Sequence, residues 1–419
     1  MKKFPLSIAL SALLLATSSA TFAKSKIVFS HYLSKDYVNQ MIDGFHKANP
    51  DIEVVAMSCG FRDCHDKLTT ALAVGEGAPD VVTLSTIKLG TFINSGGLVN
   101  FTAPPYSMDK IGWQFDASML SLSQDDKGQI YGAPFDTGPV VMAYRKDLLD
   151  ATGMTFEEAT KDWDAFIKFA ETLKAKTGAF VFPAAMSIIN PLVVGTNNDA
   201  GKTVYLKDGK PNLNSKEVKF LANLAKQLYD KKLVADLDGS SNDQKFIKLF
   251  REGKLFADLD GPWIEGRVIQ EYDPEGSKKG LWRVGNIPNH VNVNAGGTVF
   301  AMPDQGKNKE ASWKFIQHLM NDDSVLAIAS VAGTLPARTE IYAHEFFEKP
   351  SEIFGGQHSM RLYTEMVKLN KPYLSSPVDN IANEILNHAI KKILAEKADI
   401  DKTLDEANTL LQRRMRSLN

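Results

Sequence analysis

From residue 24 onward the apolar positions change period repeatedly. Residues 26–30 form a short β-branched and aromatic run, and 37–48 place Val38, Met41, Ile42 and Phe45 at helical spacing before Asn49, Pro50 and Asp51 stop the helix. The same reading predicts a strand at 52–57, a helix at 66–73, a breaker at 75–79 and a third strand at 80–84. Such a β-α-β-α-β series implies a parallel sheet with helices on its faces. Ligands of these sheets sit beyond the carboxyl ends of the strands, where loops and helix N-termini converge. Here those ends carry His31 and Tyr32, the loop from Cys59 to Cys64, and Ser85 with Thr86.

Farther along, 131–144 reads as extended chain punctuated by Gly132, Pro134, Gly138 and Pro139, and 205–214 as a turn-rich insertion with its tip at 207–210. A strand is expected at 298–302 and a helix at 309–320. Residues 379–418 keep helical spacing at Ile381, Ile385, Ala389 and Ile393, then at Leu404, Ala407 and Leu411, stripes that read as core-packing faces.

The first residues are of a different kind. A basic start at Met1, Lys2 and Lys3, an apolar stretch at 4–16 and the small-x-small triplet Thr21, Phe22 and Ala23 describe a secretory signal peptide cleaved after Ala23. The apolar stretch is well short of the roughly 18 residues that span a bilayer. No cysteine precedes Cys59 to carry a lipid at the cleavage site, so a free soluble periplasmic protein is expected. With 419 residues, 44% hydrophobic and 23% charged, the composition is that of a globular chain of two or three domains. Its 48 basic and 50 acidic side chains leave a formal charge of −2, no field for nucleic acid.

Export gives Cys59 and Cys64 a meaning, because disulfides form and persist outside the cytoplasm. A local disulfide is the reading here, adding about 2 to 3 kcal/mol through loop-closure entropy and fixing the shape of the loop. Covalent haem is the alternative raised by His65, but Cys-x4-Cys-His has the wrong spacing for Cys-x-x-Cys-His attachment, and no axial ligand is evident.

A set of segments in order resembles one family. FHKANPDIEV at 45–54, KLTTALAVG at 67–75 and APDVV at 78–82 are followed by GQIYGAPF at 128–135 and VMAYRKDLL at 141–149. FREG at 250–253, DGPW at 260–263, GGTVFAMP at 296–303 and GTLPAR at 333–338 complete the series. In this order they are similar to the extracellular solute-binding proteins of ABC importers, in the maltose-binding-protein-like carbohydrate branch, which more often has Asn where this chain has Arg145. The resemblance implies an α/β, two-lobe type II periplasmic binding fold with a hinge and an interlobe ligand cleft. It implies an N-terminal lobe of 24–135 plus about 295–337 and a C-terminal lobe of 136–294 plus about 338–419, with crossings near 135–137 and 291–297. It also implies a monomer that delivers a sugar or oligosaccharide to inner-membrane ABC permease subunits and needs no cofactor.

A sugar site needs flat aromatics for C–H faces and planar polar groups for hydroxyls. The resemblance places Trp263 in the cleft, against a core role, and Asp260 beside it as an acceptor of hydroxyl protons, against a turn role. His31, Tyr32 and Ser85 lie at the strand ends, and Phe61 with Arg62 would be presented rigidly by the cysteine loop. Asp136 and Thr137 stand at the inferred hinge, Gly297 allows close backbone approach, and Arg338 either reaches a hydroxyl or pairs with a carboxylate between the lobes. The repeated Ala-Asp-Leu-Asp-Gly at 235–239 and 257–261 raises calcium binding or an acid/base pair, hence an exported glycosidase or lyase, as alternatives. A binder of a non-sugar solute is a third. No metal-ligand cluster and no Gly-x-Ser-x-Gly, His-Glu-x-x-His or phosphate-loop motif occurs.

Overall fold

The computed structural model describes residues 24–196, 203–237, 244–290, 292–376 and 378–416. The expected leader at 1–23 and the last two residues of the first Ala-Asp-Leu-Asp-Gly lie outside the described residues.

Strands β1 (Ser25–His31), β2 (Ile52–Ser58) and β3 (Val81–Ser85) alternate with helices α1 (Lys35–Ala48) and α2 (Phe61–Val74), and α3 (Thr86–Ser95) follows. β1 pairs in parallel with both β2 and β3, as the period pattern implies. α1 buries Val38, Met41 and Phe45, one stripe at helical spacing, and Phe45 meets Phe315 edge-on over the sheet.

β4 (Ala133–Pro134), β5 (Asp136–Thr137) and β6 (Val141–Arg145) lead out of this sheet. The 205–214 insertion is a hairpin of β7 (Leu206–Lys207) and β8 (Lys210–Pro211). β9 (Ala257–Asp260) and β10 (Trp282–Gly285) flank β6 in an antiparallel sheet of order β10-β6-β9. β11 (Thr298–Ala301) returns to the first sheet, whose order is β2-β1-β3-β11-β4. It runs antiparallel to β3, because it arrives from the other sheet and not through a right-handed helical crossover. β12 (Leu335–Pro336) pairs with β5 between the two sheets. The two sheets are the centres of two α/β lobes. The predicted terminal helix is two helices, Asp379–Ala395 and Ile400–Arg416, broken where Lys397 takes a left-handed φ of 55° and the Asp399 carboxylate caps the second.

Arg145, the departure from the family pattern, is buried and pairs at 3.0 Å with buried Asp273, which also accepts from the Trp282 indole. The guanidinium is thus satisfied inside the second lobe.

Among the described residues the chain crosses between the sheets three times, at 134–141, at 286–290 with 292–298, and at 333–338, and the crossings bond to one another. Val140 N donates to Val293 O at 2.8 Å, Ala295 N to Gly138 O at 2.8 Å, and Ala337 N to Phe135 O at 2.9 Å. Beneath them lies buried Asp116. Its carboxylate accepts from Thr137 Oγ1 (2.5 Å) in the first crossing and Asn294 Nδ2 (3.3 Å) in the second, and its amide donates to Ala337 O (2.7 Å) in the third. Burial pushes the Asp116 carboxyl up, while bonds from Thr137 and Ser118 oppose that shift. Asp116→Ala should therefore cost roughly 3 kcal/mol or more, since it strands several buried donors at once. Urea unfolding at pH 7 measures this, and a loss below about 1 kcal/mol would mean that the crossings hold without it.

Candidate functional site

The crossings bring three groups of predicted residues to one place. On the first lobe, Tyr32 follows β1; its amide donates to Thr83 Oγ1 at 3.3 Å and its hydroxyl to Thr298 Oγ1 at 3.2 Å. His31, its neighbour, points the other way because strand side chains alternate, and is buried beside Phe29 at 5.3 Å. Burial holds the His31 pKa down.

Cys59 and Cys64 form the expected disulfide. It does not enclose a loop, however. α2 begins at Phe61 rather than 66, with Gly60 as its N-cap residue and Cys64 N donating to Gly60 O, so the bridge ties the end of β2 to the first turn of a helix. The apolar period missed this turn because Phe61, Arg62 and Asp63 are all exposed. Phe61 meets Tyr32 edge-on at 5.0 Å, and exposed Arg62 projects from the same turn.

At the crossings, buried Asp136 accepts from Thr298 N at 2.5 Å. Burial pushes its carboxyl from 3.8 up to about 6, against the opposing Thr298 bonds. Thr137 is engaged with Asp116. Ser85 is buried at the end of β3, paired with Thr298 in the ladder. Gly297 packs against the first crossing so closely that a Cβ would lie 2.3 Å from Asp136 O, which no side chain tolerates. Arg338 turns back to the first lobe, donating to Met320 O at 2.6 Å and pairing with Asp322 at 2.9 Å.

On the second lobe, Asp260 ends β9 and accepts from the Trp263 indole at 2.6 Å and from Arg267 at 2.6 Å. This fixes the indole, whose ring lies over the first crossing: a Cβ on Gly138 would come within 2.3 Å of it. Asp258, two positions before on the same strand face, is pushed up by burial and by the Asp260 charge, with Arg267 opposing. The second Ala-Asp-Leu-Asp-Gly is therefore a strand end committed to a guanidinium and an indole, not a calcium loop.

Two residues escaped the sequence reading. Glu265, two places after Trp263, is mostly buried and accepts from Ser351 Oγ (2.7 Å) and Ser359 Oγ (3.4 Å); burial raises its carboxyl. Tyr37, on the first turn of α1, has its hydroxyl pushed up chiefly by burial and further by the Asp136 and Glu265 carboxylates. Tyr37 stood in the sequence only as the first residue of the expected helix, and nothing in sequence marks Glu265 beyond its nearness to Trp263.

Residues 40–355 match the family described as bacterial extracellular solute-binding protein. The lactose-binding protein of Rhizobium radiobacter is 26% identical over 374 residues, 85% of each chain. The arabinooligosaccharide-binding protein of Bacillus subtilis (strain 168) is 22% identical over 347 residues, 78% of this chain and 76% of its own. The ABC transporter associated binding protein of B. animalis subsp. lactis Bl-04, solved with beta-1,6-galactobiose, shares the fold with a TM-score of 0.77 at 20% identity, over 94% of this chain and 98% of that one.

Because Asp136 holds its proton more tightly folded than unfolded, the native state binds more protons between 3.8 and about 6. In that window this group makes stability fall as pH rises. Asp136→Asn should flatten the fall, as read from unfolding midpoints at pH 4.5, 5.5 and 7; an unchanged slope would place the titration elsewhere.

Proposed function

The chain belongs to the bacterial extracellular solute-binding proteins, and from that premise we propose that it is the periplasmic binding component of an ABC importer for a neutral sugar or oligosaccharide. The observation that carries this reading is the Trp263 ring, fixed by Asp260 and seated on the crossing strands with Tyr32 and the Asp136 carboxylate gathered at the same crossings. Stacking faces and planar acceptors converge there as a pyranose requires.

Ligand contacts are assigned to Tyr32, Phe61, Arg62, Asp136, Asp260 and Trp263, joined by Tyr37 and Glu265. His31, Ser85, Thr137, Gly297 and Arg338 hold the frame around them. Neither Asp136 nor Glu265 takes part in an ion pair among the described residues, so an uncharged ligand suits the cleft better than an acidic one. Each carboxylate already accepts bonds from the protein, which favours holding hydroxyls over acid/base chemistry.

The lobes are assigned as 24–135 with about 295–337, and 136–294 with about 338–419. Hinge closure around ligand is the motion of periplasmic binding proteins, and ligand favours closure by its difference in affinity for the two forms. A monomer, freed of residues 1–23 and without a lipid anchor, would then dock on inner-membrane permease subunits; among the described residues no helix is long and apolar enough to cross a membrane.

Calorimetry with lactose, β-1,6-galactobiose, arabinotriose and maltotriose should find at least one ligand at micromolar affinity or tighter. Trp263→Ala should weaken that ligand by roughly 1 to 3 kcal/mol. A blank sugar panel alongside binding of amino acids or polyamines would overturn the assignment, and unchanged affinity in the variant would move Trp263 out of the site.

A further inference from the structure

The histidine of Cys-x4-Cys-His has no part in the function so far, since both cysteines are spent on each other. His65 is buried on the second turn of α2, and both ring nitrogens are engaged. Nδ1 lies 2.6 Å from the carbonyl of Phe61, one turn back, and Ser85 N donates to Nε2 at 3.2 Å from the end of β3. A backbone amide can only donate, so Nε2 is the acceptor and Nδ1 carries the proton given to Phe61. The imidazole is therefore neutral in one defined tautomer. An imidazolium would set Nε2–H against the Ser85 amide, donor against donor.

The ring also stacks. It lies 5.5 Å from Tyr32 at 28°, 4.8 Å from Phe61 and 6.2 Å from Phe92 of α3. The Tyr32 hydroxyl donates a hydrogen bond to Thr298 Oγ1, and the Thr298 amide donates to Asp136. One side chain thus backs Tyr32 and Phe61 and pins them to the strand whose ladder partner meets the crossing.

We propose that His65 is the positioning residue of the ligand surface on the first lobe: its neutral, Nδ1-protonated form holds Phe61 and Tyr32 in place, and acidification releases them and weakens binding. This rests on the carbohydrate reading of the cleft. The charged groups that bear on the ring are Lys88 of α3, which disfavours protonation, and Asp66 of α2, which favours it; Phe61, Tyr32 and Phe92 carry no charge at neutral pH. Burial is the largest influence and lowers the imidazole from 6.5, so the engaged neutral form prevails at neutral pH and is lost only as pH falls through the lowered value of the folded protein.

Two measurements on the exported chain test this. Nitrogen-15 long-range correlation without ligand should show His65 at pH 7 as neutral imidazole protonated on Nδ1. Binding of the tightest of the four saccharides should be about tenfold weaker in His65→Gln and His65→Phe. As pH is lowered from 7 to the lowest value at which the wild type stays folded, its affinity should fall more steeply than that of either variant, whose remaining slope belongs to Asp136, Glu265 and His31. Melting at pH 7 shows that each variant is folded. An Nε2-protonated or charged ring at pH 7, or parallel affinity profiles with saccharide bound, overturns the positioning role alone. Failure of every saccharide to bind the wild type overturns the carbohydrate reading beneath it.

Discussion

Three segments must pass side by side between two sheets, and buried Asp116 ties them together. The ladder between the crossings is short, since β5 and β12 pair over two residues each. Asp116 adds to it from each passage: its carboxylate accepts from Thr137 and Asn294, and its amide donates to Ala337 O. A buried carboxylate without such donors would be expelled or protonated. With them, it fixes the lateral order of the crossings.

That order makes the cleft. Gly297 can pack on Asp136 O only because it lacks a side chain, and the same closeness brings Thr298 to the Asp136 carboxylate on one side and the Tyr32 hydroxyl on the other. Gly138 leaves room for the Trp263 ring, which Asp260 and Arg267 hold in place from the second lobe. Side chains far apart in sequence thus meet at a bundle of backbone whose spacing is set by two glycines. The carboxylates gathered there differ in surroundings: Asp260 is paired with a guanidinium, whereas Asp136 and Glu265 have hydroxyl and amide partners.

Much of this was legible in the sequence. Period changes gave β1–β3 and α1, the position of β11 and the hairpin at 205–214, because amphipathic spacing records which face of a local element is buried. The cysteine spacing gave the disulfide, but its surroundings were misread. Exposed Phe61, Arg62 and Asp63 carry no apolar period, so the first turn of α2 looked like loop. Strand-end logic gathered His31 and Tyr32 together, while His31 turns into the core beside Phe29 and Tyr32 reaches Thr298.

The sequence by itself therefore determined the local elements, the chemistry available at the strand ends and, through motif order, the family. Tertiary structure alone decided that Arg338 bonds back to Met320 and Asp322, that Glu265 accepts from Ser351 and Ser359, and that His65 lies between the Phe61 carbonyl and the Ser85 amide with its ring on Tyr32. The physical reason is that periodicity reports burial along one element. A site formed where three distant segments cross is defined by hydrogen bonds and close approaches between them, and these leave no period in the chain.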